Sequence, residues 1–263
     1  MKTTTHSLKE MKTTGKKITV LTAYDHPTAS ILDESGIDIV LVGDSVGNVV
    51  LGYENTIPVT MEEMLHHTKA VVRGVENAMV IADMPFMSYQ LNPEDALRNA
   101  SRFIKEAGAS GVKVEGTAHL DAIKKIIDAG IPVMGHIGFT PQSVNQIGGY
   151  RVQGRALDEA KALMEGAKDL EKTGVFSLVI EMVPAVLASK VSRSLNIPVI
   201  GCGAGPECDG QVLVISDILG LSGKTVPKFA KKYSDLSAET KRAVSNYISD
   251  VRSGRFPGNE HSF

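Results

Sequence analysis

Short, almost wholly apolar runs recur along this chain, and each is followed by a stretch of helical periodicity. The runs are Lys17–Tyr24, Asp38–Asp44, Ala78–Met84, Gly111–Glu115, Pro132–His136, Ser177–Met182 and Pro198–Cys202. Continuous apolar strands, rather than alternating ones, belong to sheets covered on both faces, which are usually parallel with helices outside. Between them the spacing predicts helices over Pro27–Ser35, from the Thr60 cap to Arg73, from the Asn92 cap to Ala107, over His119–Ala129 and Leu157–Thr173, and up to Leu195. Thr60 with Glu63 is a capping-box pattern, and Asn92 followed by Pro93 is a helix start. Val212–Ile215 reads either as an eighth strand or as a helix start, since four residues are too few for periodicity to decide. Ala238–Arg252 reads as a last helix and Phe256–Phe263 as an irregular tail.

Over 263 residues this gives about 33 residues per unit, which suits an α/β chain folded as a (β/α)8 TIM barrel. A doubly wound open sheet is the competing architecture. No linker or repeat interrupts the pattern, so residues 1–263 read as one barrel domain with a short N-terminal extension and a C-terminal tail.

Composition narrows the functional classes. With 43% hydrophobic residues the chain can bury a core, and disorder is excluded. The net charge is -2 and no basic stripe occurs, so no nucleic-acid partner is expected. Two cysteines, Cys202 and Cys208, cannot make a disulfide scaffold. Met1–Lys17 is polar, and runs such as Ile37–Val42 are far shorter than a membrane span. The expectation is a cytoplasmic protein with no membrane partner.

The chemistry lies where the strands end. Strand two ends in Asp44, strand three near Asp83, strand five in His136 and strand six in Glu181. Strand four carries Lys113 and Glu115 two residues apart, hence on one face. In a parallel barrel these ends form one rim, where active sites sit. One Asp after a strand is often only a helix cap, but five such strands in succession are not explained by capping. A lysine inside an apolar strand is costly unless paired. His136 reads equally as a substrate-orienting group or as a satisfied core histidine. The GCGAG stretch, Gly201–Gly205, is a weak phosphate-loop signal and reads better as a tight turn.

Strands lie about 4.8 Å apart, so Asp44, Asp83 and Glu115 would crowd three carboxylates around one Lys113. Such oxygen ligands favour a hard ion such as Mg2+, and no zinc pattern is present. A 2-keto acid could chelate that ion. Polarising its ketone acidifies the neighbouring C–H, and Glu181, further round the rim, could remove the proton.

At these residues the chain resembles the ketopantoate (3-methyl-2-oxobutanoate) hydroxymethyltransferase family. The resemblance spans nearly the whole length. It rests on TAYD (Thr22–Asp25), LVGDSVG (Leu41–Gly47), ADMPF (Ala82–Phe86), VKVEG (Val112–Gly116), GHIGFTPQSVN (Gly135–Asn145), GGYRVQGR (Gly148–Arg155), VPKFAKKY (Val226–Tyr233) and the closing PGNEHSF. It implies a barrel of the phosphoenolpyruvate/pyruvate superfamily type, assembled as a homo-oligomer, usually a decamer. The implied reaction is hydroxymethyl transfer from 5,10-methylenetetrahydrofolate to 3-methyl-2-oxobutanoate, giving 2-dehydropantoate through a Mg-stabilised enolate. By motif, Asp44, Asp83 and Glu115 match the Mg2+ site; Asp44, Ser45, Asp83 and Lys113 match the keto-acid contacts; Glu181 matches the proton acceptor. A superfamily relative cleaving a carbon–carbon or carbon–phosphorus bond, and a catalytically silent metabolite sensor, are the rival readings; a sensor would have no use for Glu181.

Overall fold

The computed structural model describes residues 2–222 and 227–263. Met1, and Val226 at the start of the VPKFAKKY stretch, lie outside the described residues. The chain falls into two compact units, Met1–Val214 and Ile215–Phe263.

In the first unit, chain order runs α1 (Thr5–Thr14), β1 (Ile18–Thr22), α2 (His26–Glu34), β2 (Ile39–Val42), α3 (Val46–Val49), α4 (Met61–Val72), β3 (Met79–Asp83), α5 (Pro93–Lys105) and β4 (Gly111–Glu115). It continues through α6 (Leu120–Asp128), β5 (Val133–Gly138), α7 (Val144–Ile147), α8 (Leu157–Thr173), β6 (Ser177–Glu181), α9 (Ala185–Ser194), β7 (Val199–Cys202) and β8 (Gly210–Leu213). All eight strands are parallel, and β8 pairs with both β7 and β1. The sheet is therefore a closed barrel, and the open doubly wound alternative fails. The second unit holds α10 (Ile215–Leu219) and α11 (Leu236–Arg252). The ambiguous Val212–Ile215 segment is both things at once: β8 ends at Leu213 and α10 begins at Ile215.

Local chemistry sets the element ends. The side chain of Thr60 accepts from Glu63 N at 3.2 Å while Glu63 Oε2 accepts from Thr60 N at 2.8 Å, which satisfies two of the open donors of α4. Asn92 Oδ1 accepts from Asp95 N at 2.8 Å to start α5. Strand β1 stops short of Tyr24 because Asp25 turns the chain into α2, its Oδ1 accepting from Thr28 N at 2.8 Å. Strand β5 continues beyond His136 to Gly138.

Strand pairing fixes which side chains share the barrel interior. Asp83 stands opposite Lys113, Glu115 opposite His136, and Gly138 opposite Glu181. Alternation along a strand then puts Met79, Ile81 and Asp83 in one column, and Met134 with His136 in another. Each column is apolar at the strand's start and ionisable at its end. The apolar layer, with Ile18, Val20, Ile39, Leu41, Met79, Ile81, Met134, Val179, Ile200 and Val212, forms one buried cluster.

Helix α1 lies in the polar stretch for which no element was expected. Its Leu8 and Met11 belong to that same cluster, so the helix seals the barrel at the strand starts. Lys12 secures it by donating to Ser192 O at 2.8 Å and Asp209 Oδ2 at 2.6 Å. Two apolar residues three apart among polar ones give little periodic signal, which is why the helix was not legible. No described helix is long and apolar enough to cross a membrane.

Leu8 is fully buried. Leu8→Ala should lower stability by about 3 kcal/mol in chemical denaturation, the usual cost of a large-to-small change in a packed core. A change below about 0.5 kcal/mol would mean that α1 frays from the barrel in solution.

Candidate active site

The strand register gathers the polar rim. Lys113, buried on β4, places Nζ 2.5 Å from Asp83 Oδ1 and 3.6 Å from Glu115 Oε1. Asp44 lies just past the end of β2, and its backbone N donates to Asp83 Oδ2 at 3.1 Å. His136 sits between two carboxylates, with Nδ1 3.2 Å from Glu115 Oε1 and Nε2 3.3 Å from Glu181 Oε2. Ser45, the next residue after Asp44, has its Oγ 2.8 Å from the hydroxyl of buried Tyr24. All the residues singled out in the sequence thus belong to this mouth: Asp44, Ser45, Asp83, Lys113, Glu115, His136 and Glu181.

Two glycines permit this packing. A Cβ on Gly43 would come within 2.6 Å of Ser45 Oγ. Gly138 has φ +93°, and a Cβ there would meet the backbone oxygen of Glu181 at 2.2 Å. Any side chain at Gly138 would therefore push β6, and Glu181 with it, away from β5. After Glu181 the backbone turns through Met182 at φ 47°, unusual for a residue with a side chain. That turn is held by bonds from Met182 N to Cys202 O at 2.8 Å and from Gln153 N to Met182 O at 2.9 Å.

The electrostatics follow from crowding charges in a dry place. Burial, then the neighbouring Asp83 and Glu115, raise Asp44 well above the usual carboxylate range. Burial also raises Asp83, against the pull of Lys113. Burial works against the charge on Lys113, but Asp83, Glu115 and Asp44 outweigh it and lift the amine above its ordinary value. Burial and Lys113 oppose charge on His136, yet Glu115 and Glu181 prevail and raise the imidazole to about 9. Glu115 alone of the three clustered acids is lowered: burial opposes its charge, and Lys113 with His136 overcomes it.

With Asp44, Asp83, Glu115 and Glu181 ionised against charged Lys113 and His136, the mouth would carry two negative charges in excess. Asp83 Oδ1 and Glu115 Oε1 are buried, and their partners are the ion-paired Lys113 and His136. Among the described residues no three or more His, Cys, Asp or Glu side chains are grouped so as to hold a metal ion by themselves. The donor set still fits a hard divalent cation of the Mg2+ kind. Such an ion takes one or two carboxylates and completes its shell with water and substrate oxygens. Glu181 is more open than the charged groups around it, its side chain 16% exposed against 3–5% for Asp83, Lys113, Glu115 and His136.

Two neighbours escaped the sequence reading. Gln142, in the 3-10 turn Pro141–Ser143 after β5, donates from Nε2 to Asp44 Oδ2 at 2.9 Å and from its backbone N to Glu115 Oε2 at 3.1 Å. The Tyr89 hydroxyl donates to Gln142 Oε1 at 2.8 Å and accepts from Glu115 N at 3.3 Å. Both side chains are buried. A neutral amide and a phenol in loops carry no periodicity or charge signal, so only the fold reveals them.

The chain and its barrel have known counterparts. A family model described as ketopantoate hydroxymethyltransferase matches residues 2–259. A 3-methyl-2-oxobutanoate hydroxymethyltransferase of Dehalococcoides mccartyi is 58% identical, covering 100% of this chain and 94% of that protein. The protein of the same name from Carboxydothermus hydrogenoformans is 56% identical over 99% of this chain and 95% of its own. Among solved structures, a phosphonopyruvate hydrolase superposes with TM-score 0.62 at 12% identity, covering 98% of this chain and 93% of that one. A 2,3-dimethylmalate lyase, a PEP mutase/isocitrate lyase superfamily member, gives 0.61 at 14% identity, covering 100% and 93%. These likenesses extend to the closed parallel barrel itself.

Replacing Lys113 with Met should destabilise the protein by about 3–5 kcal/mol at pH 8, because buried carboxylates lose their counter-charge. Without the ammonium the folded carboxylates hold protons more tightly than the unfolded ones. The deficit should therefore shrink as pH falls from 8 to 5. Denaturation curves across that range measure it, and a deficit that grows on acidification would contradict the assignment of charge.

Proposed function

The chain belongs to the ketopantoate hydroxymethyltransferase family, and on that premise we propose how the residues at its barrel mouth carry the reaction. The enzyme transfers a hydroxymethyl group to 3-methyl-2-oxobutanoate, forming 2-dehydropantoate for pantothenate synthesis. The observation that carries the mechanism is a buried acid cluster around Lys113, joined through His136 to the more open Glu181.

In this reading Asp44, Asp83 and Glu115 hold Mg2+. When bound, the ion would polarise the ketone of the substrate and offset the negative charge that develops on its oxygen. Ser45, Asp44, Asp83 and Lys113 contact the keto acid, with the ammonium of Lys113 placed to neutralise an anionic oxygen. Glu181 takes the proton from C3. His136 Nε2, 3.3 Å from Glu181 Oε2, orients that carboxylate. The electron pair left on C3 then forms the new bond to the one-carbon unit, for which 5,10-methylenetetrahydrofolate is the donor that the family resemblance supports; one water supplies the hydroxyl oxygen, and the carbon–nitrogen bonds to the folate break to leave tetrahydrofolate. Burial of the cluster keeps bulk water from C3 while it carries the electron pair. The resemblance further supports a homo-oligomer, ten chains in its usual form, and a chain with only two cysteines fits a reducing, cytoplasmic setting.

Glu181→Gln should cut turnover by about 100-fold or more and abolish folate-free deuterium exchange at C3 of 3-methyl-2-oxobutanoate. Keto-acid binding should survive. Exchange at the wild-type rate would remove Glu181 from the role of base. Asp83→Asn should shift the Mg2+ titration of activity to higher concentration; an unmoved titration would count against ligation by Asp83.

A further inference from the structure

Each of the three clustered carboxylates has one oxygen held by an amide. Asp44 N donates to Asp83 Oδ2 at 3.1 Å, Gln142 N to Glu115 Oε2 at 3.1 Å, and Gln142 Nε2 to Asp44 Oδ2 at 2.9 Å. The partner oxygens of the other two acids face cationic groups, Asp83 Oδ1 with Lys113 Nζ at 2.5 Å and Glu115 Oε1 with His136 Nδ1 at 3.2 Å, while Asp44 is held through Oδ2. Asp44 Oδ1 is therefore the carboxylate oxygen of the cluster that a cation can reach without displacing an ion pair. Two of the holding groups are backbone. Only the one on Asp44 is a side chain, so it alone is set by residue identity.

The orientation of that amide is fixed. Nε2 also donates to Met84 O at 2.9 Å, while Oε1 accepts from Tyr89 OH at 2.8 Å. Turning the amide over would set Oε1 against a carboxylate and a carbonyl, both acceptors. Gln142 and Tyr89 are 4% and 2% exposed, so water cannot relieve the mismatch.

Denticity separates hard cations. Mg2+ is small, demands octahedral geometry and takes single carboxylate oxygens at about 2.0–2.1 Å, whereas Ca2+ accepts six to eight ligands at about 2.3–2.6 Å and tolerates bidentate carboxylates. We propose that Gln142 is a positioning residue that keeps Asp44 monodentate, and that this side chain, braced by Tyr89, gives the site its preference for Mg2+ over Ca2+. The inference rests on the reading of Asp44 as a ligand.

The test measures binding of Mg2+ and of Ca2+ by titration calorimetry. It uses the full chain with 3-methyl-2-oxobutanoate present, as wild type, Gln142→Met and Tyr89→Phe, each checked for folding by circular dichroism. Gln142→Met retains the side-chain length but cannot donate, which releases Asp44 Oδ2. The wild type should favour Mg2+. Gln142→Met should narrow that preference by about tenfold, mainly through tighter Ca2+ binding, within the range for groups that support metal ligands. Tyr89→Phe should narrow it by less, and it decides alone if Gln142→Met does not fold. Folded variants that keep the wild-type ratio overturn the role of Gln142 while leaving the ligands in place. A wild type that binds neither ion overturns the ligation and the proposal with it.

Discussion

An ammonium group sits in the wall of this barrel, 2.5 Å from Asp83, in a place where water cannot reach it. Lys113 is tolerable there only because acids surround it, and the acids are tolerable in turn because of Lys113. This mutual dependence fixes more than charge. It requires the β3–β4 register that sets Asp83 opposite Lys113, and the β4–β5 register that sets Glu115 opposite His136. A slip of one residue would turn each of these groups outward into the helical layer. The cluster thus acts as a register pin as well as a site.

The interior columns show how one strand serves two purposes. Met79 and Ile81 pack at the closed end, while Asp83, the next inward residue of the same strand, works at the open end. Stability and chemistry are separated by two residues of chain, about 7 Å along a strand. Such a division fits the wide reuse of the scaffold: proteins that are 12–14% identical to this chain keep the barrel, because the layer that makes it fold is not the layer that reacts.

Much of this was legible in the chain itself. Lys113 and Glu115 announce a shared face by their spacing, and the polar residue closing each apolar run marks the rim. The Thr60–Glu63 and Asn92–Pro93 signals locate helix starts because capping is a local, side-chain-to-backbone interaction. What was not legible depends on distant partners. Helix α1 earns its place through Leu8 and Met11 meeting residues from most of the strands. The last strand, β8, is short and partly polar, and it is recognisable only from the two strands it joins. Gln142 and Tyr89 are ordinary loop residues until folding brings them under Asp44 and Glu115. Nor does spacing foretell that Asp25 would take the chain into α2 before strand one could reach Tyr24.

The stopper formed by α1 has a kinetic meaning. A vessel filled with side chains and closed at its base has a single doorway, at the rim. Whatever is seated deepest must arrive before the molecule that lies above it, and must wait for that molecule to depart.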